Sequence, residues 1–141
     1  MKILTTKTHA FIDYLTGLSL ILFFFLFTGS GPTNYIIALV GTATLIYSML
    51  THYELGLANV LTMRKHLLLD MMSGILLVIL SFILNLNHLS YLVYIFSGIL
   101  KIITGITTSI EPSYRGFNRY PYKKYDVPVY AKHEKFPAVK L

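Results

Sequence analysis

The chain has no cysteine and no tryptophan among its 141 residues, and only 13% of them are charged. Without cysteine there is no disulfide framework, no zinc–thiolate site and no thiol nucleophile. Acidic residues are scarce, six Asp and Glu against twelve Lys and Arg. Two stretches, near Thr28–Asn34 and Asn85–Ser90, hold no Lys or Arg at all. There is also no P-loop, dinucleotide fingerprint, nucleophile elbow or His-Glu-x-x-His pair. These absences point away from familiar enzymes, and the protein is expected to be non-catalytic.

What is present is mostly apolar. Hydrophobic residues make up 55% of the chain, with a mean hydropathy of +0.63. A soluble domain of this size has too little interior to hide that surface. Four segments, Ala10–Phe27, Tyr35–Leu50, Leu67–Leu84 and Tyr91–Thr108, approach the roughly 20 apolar residues that cross a hydrocarbon core. The fold class expected is all-α: an integral membrane protein of four transmembrane helices followed by an extended tail. Lys2, Lys7, Arg64, Lys65 and the basic residues after Arg115 all fall on one side of the crossings. The positive-inside rule therefore predicts both termini and the middle loop in the cytoplasm. The first span is too long for a signal-peptide core and is read as a permanent helix.

The polar residues repeat at a constant spacing of 57. Thr5 pairs with Thr62, Lys7 with Arg64, His9 with His66, Asp13 with Asp70 and Gly17 with Gly74. Gly41 pairs with Gly98, Thr51 with Thr108 and Glu54 with Glu111. One helical hairpin is therefore read as built twice, over residues 1–57 and 58–112, with a tail over 113–141. An even number of crossings joins the units, which predicts parallel repeats about an axis along the membrane normal. Gly41, Gly98 and Gly105 are expected at close helix contacts, and Phe23–Phe25 toward lipid or a partner. The mixed loop from Thr51 to Lys65 suits a short amphipathic segment at the headgroups.

The chemistry-bearing motif is His-x3-Asp-x3-Gly, present as His9, Asp13, Gly17 and as His66, Asp70, Gly74. Steps of four place the three residues on one helix face. Carboxylates near lipid must face protein, water or a cation. The bland reading is a structural network that fixes packing, with Lys101 as an ion-pair partner of Asp70 or Asp13, or snorkelling to the interface. The sharper reading is a divalent-metal site on His9, Asp13 and Glu54 and on His66, Asp70 and Glu111. A further alternative has His9 and His66 ligating one haem. His52 reads as an interfacial residue.

From Glu111 onward the composition changes. Pro112, Pro121, Pro128 and Pro137 forbid a long helix there. Seven Lys and Arg against three Asp and Glu give this segment a net +4. Tyr114, Arg115, Phe117, Arg119, Tyr120, Tyr122, Tyr125 and Tyr130 are residues of the kinds that dominate interfaces. They are expected to contact a protein partner or anionic lipid headgroups rather than nucleic acid. The preferred function is a non-catalytic accessory subunit, docked on a larger integral membrane complex through its helices and tail, with no cofactor. The alternatives are a haem- or metal-binding membrane protein and a small transporter or proton conductor.

The run Lys7-Thr8-His9-Ala10-Phe11-Ile12-Asp13-Tyr14-Leu15-Thr16-Gly17 resembles small bacterial membrane proteins of the SPW-repeat type. So does Tyr53-Glu54-Leu55-Gly56 followed by Met63 to Asp70 and Gly74. The resemblance covers residues 1–112 and implies four helices in two hairpin copies in a bacterial inner membrane. It departs at the naming motif, where Ser81-Phe82 stands in place of Ser-Pro-Trp. The family implies no particular activity.

Overall fold

The computed structural model describes residues 3–27 and 32–110. Among them are four α-helices: α1 (Thr6–Phe27), α2 (Pro32–Leu50), α3 (Met63–Ile83) and α4 (His88–Thr107). All four are long and apolar enough to cross a membrane, α1 reaching about 33 Å at 1.5 Å per residue. Strands are absent among the described residues. There are only two isolated parallel bridges, Leu4 with Thr108 and Thr51 with Leu61.

Each helix begins three or four residues before the apolar run that announces it. The Thr5 hydroxyl accepts the Thr8 N–H at 3.2 Å, and Asn87 caps α4 by accepting the Ser90 N–H at 2.8 Å. Such caps satisfy amides that hydropathy ignores, so polar first turns stay helical.

α1 packs on α2, α3 packs on α4, and α2 touches α3. Both hairpins cross at glycine. A Cβ on Gly41 would lie 2.8 Å from the Gly17 carbonyl oxygen, and one on Gly98 would lie 2.7 Å from that of Gly74. Only hydrogen fits between these backbones. Gly105 lies against Met71. The apolar core sits at the other end of the bundle, around Leu20, Ile37, Val40, Leu77 and Tyr94. Phe23 packs against it, Phe24 lies against Tyr35, and only Phe25 of the three is strongly exposed.

Residues 51–62 form turns rather than a helix. The loop folds back on the end of α2: the amides of Leu57 and Ala58 donate to Met49 O, and those of Val60 and Leu61 to Leu50 O. These bonds satisfy carbonyls that a helix terminus leaves open. A Cβ on Gly56 would collide with the Thr51 carbonyl, and Asn59 has a φ of 48°. Both features suit a tight turn and exclude an amphipathic helix.

The two halves close onto each other reciprocally. Ile3 and Leu4 donate to Thr107 O, and Ser109 donates to Leu4 O. In the same manner His52 donates to Leu61 O. The segment leading into each hairpin thus pairs with the exit of the other. This exchange brings both helix starts and both helix exits to one end of the bundle.

Candidate metal centre

At that end, His9 and Asp13 on α1 meet His66 and Asp70 on α3, and all four are buried. Their ligand atoms converge on one point. The two Nε2 atoms are 3.0 Å apart. His66 Nε2 lies 2.7 Å from Asp13 Oδ2 and 3.1 Å from Asp70 Oδ2. His9 Nε2 lies 3.2 Å from Asp13 Oδ2 and 3.0 Å from Asp70 Oδ2. Each imidazole thus contacts both carboxylates, its own helix's and the other's.

The far nitrogens decide what the near ones do. Thr51 donates its hydroxyl proton to Tyr47 O at 2.6 Å and lies 2.8 Å from His66 Nδ1. Thr108 donates to Thr104 O at 2.5 Å and lies 2.9 Å from His9 Nδ1. A hydroxyl has one proton to give. With that proton on the backbone, each threonine must accept from an Nδ1–H. Both histidines therefore carry a proton on Nδ1, and as neutral rings both turn bare Nε2 lone pairs inward. Two lone pairs and two carboxylate oxygens then crowd together in a dry interior, and only a positive charge among them makes the arrangement favourable.

The donor set fits a small divalent transition metal. Nitrogen and oxygen ligands at about 2.0–2.1 Å in a tetrahedron give edges of roughly 3.3 Å. The five edges given above are a few tenths shorter, while the four ligand atoms as a set spread to 4.8 Å, so the two carboxylate oxygens must close toward each other as the nitrogens move apart to accommodate the ion. Hydrogen bonding from an Nδ1–H to a backbone-anchored acceptor is the usual second shell of a metal-bound histidine.

Around the four, the two carboxylates differ. Asp70 Oδ1 accepts from Lys101 Nζ at 2.7 Å and from the Tyr47 hydroxyl at 2.5 Å, while Lys101 also donates to that hydroxyl at 2.7 Å. Lys101 is only 1% exposed, so its ammonium pairs inside the bundle and does not snorkel. Asp13 Oδ2 accepts from the Ser48 hydroxyl at 3.2 Å. Tyr53 packs its ring 5.6 Å from that of His66. Its buried hydroxyl has no hydrogen-bond partner among the described residues, and burial pushes the phenol's pKa up.

Several candidate residues sit elsewhere. Glu54 is not in the cluster; it lies past the end of α2 and accepts from the Thr6 hydroxyl at 2.8 and 2.7 Å. Among the described residues the His9-Asp13-Glu54 set does not form, and one shared His2Asp2 set does. Glu111 and the tail residues Tyr114, Arg115, Phe117, Arg119, Tyr120, Tyr122, Tyr125 and Tyr130 lie outside the described residues. The haem alternative fails on space. Bis-histidine ligation places the iron and its porphyrin between the two nitrogens, and these buried nitrogens are in direct contact at 3.0 Å. His52 is half-buried in the loop. Thr51 and Thr108 were visible as a repeat pair without an assigned role. Tyr47 and Ser48 have no polar signal at the repeat distance except Thr104 opposite Tyr47.

Comparisons with known protein families, with curated proteins and with solved structures find no match.

Proposed function

We propose that this is a multi-pass membrane protein, made of two tandem parallel hairpins with cytoplasmic termini, that binds one divalent transition-metal ion of the Zn2+ class. His9, Asp13, His66 and Asp70 supply the ligands. The observation that carries the reading is the convergence of both Nε2 atoms on two carboxylate oxygens, with each Nδ1 within 2.9 Å of a threonine hydroxyl that donates to the backbone. Four protein ligands in a dry site leave no open position, as in structural rather than hydrolytic metal centres. The ion joins the two hairpins at the end of the bundle away from the apolar core. The SPW-repeat resemblance supports a bacterial inner-membrane setting.

The test is metal analysis of protein purified in mild detergent through a tag without histidine. One equivalent of a transition metal per chain is expected, falling below a tenth in His9→Ala and Asp70→Asn. A protein that holds no metal, and takes up none on titration with micromolar Zn2+, overturns the reading.

A second reading is favoured by the charges. Two carboxylates, the Lys101 ammonium and one imidazolium sum to zero, so a single proton held between the Nε2 atoms also neutralises the cluster. That reading makes the protein a proton conductor, with proton flux in liposomes abolished by Asp13→Asn and Asp70→Asn. The accessory-subunit reading attaches to residues 113–141 and is kept as a proposal for that segment alone.

A further inference from the structure

The end of α2 and the turn after it bring the hydroxyls of Tyr47, Ser48, Thr51 and Tyr53 to the centre. The first three spend their protons. Tyr47 donates to Asp70 Oδ1, Ser48 to Asp13 Oδ2 and Thr51 to Tyr47 O. Tyr53 does not. It is 0% exposed, its ring packs on that of His66, and its hydroxyl has no hydrogen-bond partner among the described residues. A buried donor without an acceptor is unfavourable, and each such group in a native protein calls for a partner.

Polar neighbours of the Tyr53 phenol include the Tyr14 and Ser48 hydroxyls and the Asp13 carboxylate. Tyr14 is turned to Leu55 O at 3.0 Å. Ser48 is turned to the centre. Its proton goes to Asp13, and its oxygen keeps a lone pair with which to accept.

The two carboxylates are held unequally. Asp70 Oδ1 is fixed by the Lys101 ammonium and the Tyr47 hydroxyl. His66, His9 and Ser48 all meet Asp13 at Oδ2. The Ser48 bond, at 3.2 Å, is long for a hydroxyl on a carboxylate. An ion among the four ligands requires the carboxylate oxygens to approach each other. Asp70 is anchored, so Asp13 moves, and Ser48 moves with it. The repeat partners of Ser48 and Tyr53 are Gly105 and Ile110, which carry no hydroxyl. This arm therefore serves Asp13 alone.

We infer, on the metal reading above, that Tyr53 is a positioning residue of the centre: as the ion draws Asp13 inward, the Tyr53 phenol donates to Ser48 Oγ, and Ser48 in turn holds Asp13 Oδ2 on the metal. The unspent phenol proton then has an acceptor. Hydrogen bonds in series strengthen one another, and outer partners of this kind carry about 10–100-fold in metal affinity.

The experiment uses the full chain in mild detergent with Co2+ as the probe, whose visible absorption reports ligand geometry. Wild type is expected to bind one Co2+ per chain. Tyr53→Phe keeps the ring against His66 and is expected to bind about tenfold more weakly, with an altered Co2+ spectrum. Its helical content before metal is added is expected to be unchanged. Ser48→Ala is expected to weaken binding at least as much. The double variant is expected to match Ser48→Ala alone, because Tyr53 acts through Ser48. Wild-type Co2+ affinity and spectrum in Tyr53→Phe overturn the assignment and leave the metal site standing. So does loss of helix in metal-free Tyr53→Phe, which contradicts an unpaired phenol. Losses that multiply in the double variant overturn the route through Ser48. A wild-type chain that takes up neither Co2+ nor Zn2+ overturns the metal reading, and the role of Tyr53 with it.

Discussion

Replacing Thr51 and Thr108 by valine tests the metal centre without touching a ligand. Valine keeps the shape of threonine and removes the oxygen that accepts the histidine Nδ1–H, at 2.8 Å for His66 and 2.9 Å for His9. Two losses follow. The Nδ1–H is left buried without an acceptor, a penalty of about 1–3 kcal/mol. The ring is also freed to move its proton to Nε2, where it blocks the metal. Removing such outer partners lowers metal affinity by about 10–100-fold. Each threonine acts on a different histidine, so the double variant is expected to lose about 10²–10⁴-fold. The assay is competition for Zn2+ against a chromogenic chelator, with helical content followed by circular dichroism. Thr51→Ser and Thr108→Ser keep the oxygen and are expected to stay within a few-fold of wild type. The two single valine variants are expected to be alike, because the two contacts are alike. If both valine variants keep full helicity and bind Zn2+ as tightly as wild type, the tautomer argument is wrong.

Lys101→Met removes the cation from a pair in which Lys101 is 1% exposed and Asp70 is fully buried; breaking such a pair is expected to destabilise the metal-free protein by about 3–5 kcal/mol, read as a lowered thermal midpoint in detergent. Tyr53→Phe removes a buried hydroxyl that has no partner among the described residues, so stability is expected to hold or rise by up to about 1 kcal/mol; a loss larger than that in denaturant unfolding contradicts the unpaired state. Deleting residues 113–141 is expected to leave an inserted helical protein that no longer copurifies with its membrane partner, and unchanged copurification removes the tail from the docking reading. Because the chain has no cysteine of its own, single cysteines report topology cleanly: Leu57→Cys is expected to react with an impermeant thiol reagent from the cytoplasmic side, and Asn85→Cys from the other.

The residues of the centre were legible because polar side chains stand out in an apolar chain, and because a 57-residue register ties His9 to His66 and Asp13 to Asp70. That register also tied Glu54 to Glu111, and there it misled. Periodicity places a residue along a helix but not beyond its end, and Glu54 sits in the loop, turned to Thr6. The exchange of strand-like segments between the halves had no local signal, since Leu4 with Thr108 and Thr51 with Leu61 are pairings across hairpins. Without it, each histidine would be assigned to the threonine of its own repeat. In fact His9 uses Thr108 and His66 uses Thr51.

The 57-residue register of the sequence accounts for the symmetry of the centre, and departures from that register set its two sides apart. A twofold arrangement supplies two identical nitrogens and two identical carboxylates, the least that a closed four-ligand site requires. Nothing in that demand needs Lys101, which stands where the first repeat has Thr44. By holding Asp70 Oδ1 together with Tyr47, Lys101 restricts Asp70 to its other oxygen. Among the described residues no ammonium pairs with Asp13, so the two carboxylates are unequal partners for an ion. On the same α4 face, one turn away, Ser97 stands where the first repeat has Val40 and lines the α1–α4 groove. The second repeat has thus moved its polar residues away from the pattern of the first at two adjacent turns. A centre needed only for packing would tolerate such changes anywhere along the helices, whereas these border the buried cluster and the groove beside it. A Lys101→Thr variant restores the first-repeat residue, and the same Zn2+ competition assay is expected to show altered metal preference if that asymmetry tunes the site. Wild-type preference among Zn2+, Co2+ and Mn2+ in that variant would reduce Lys101 to a packing partner.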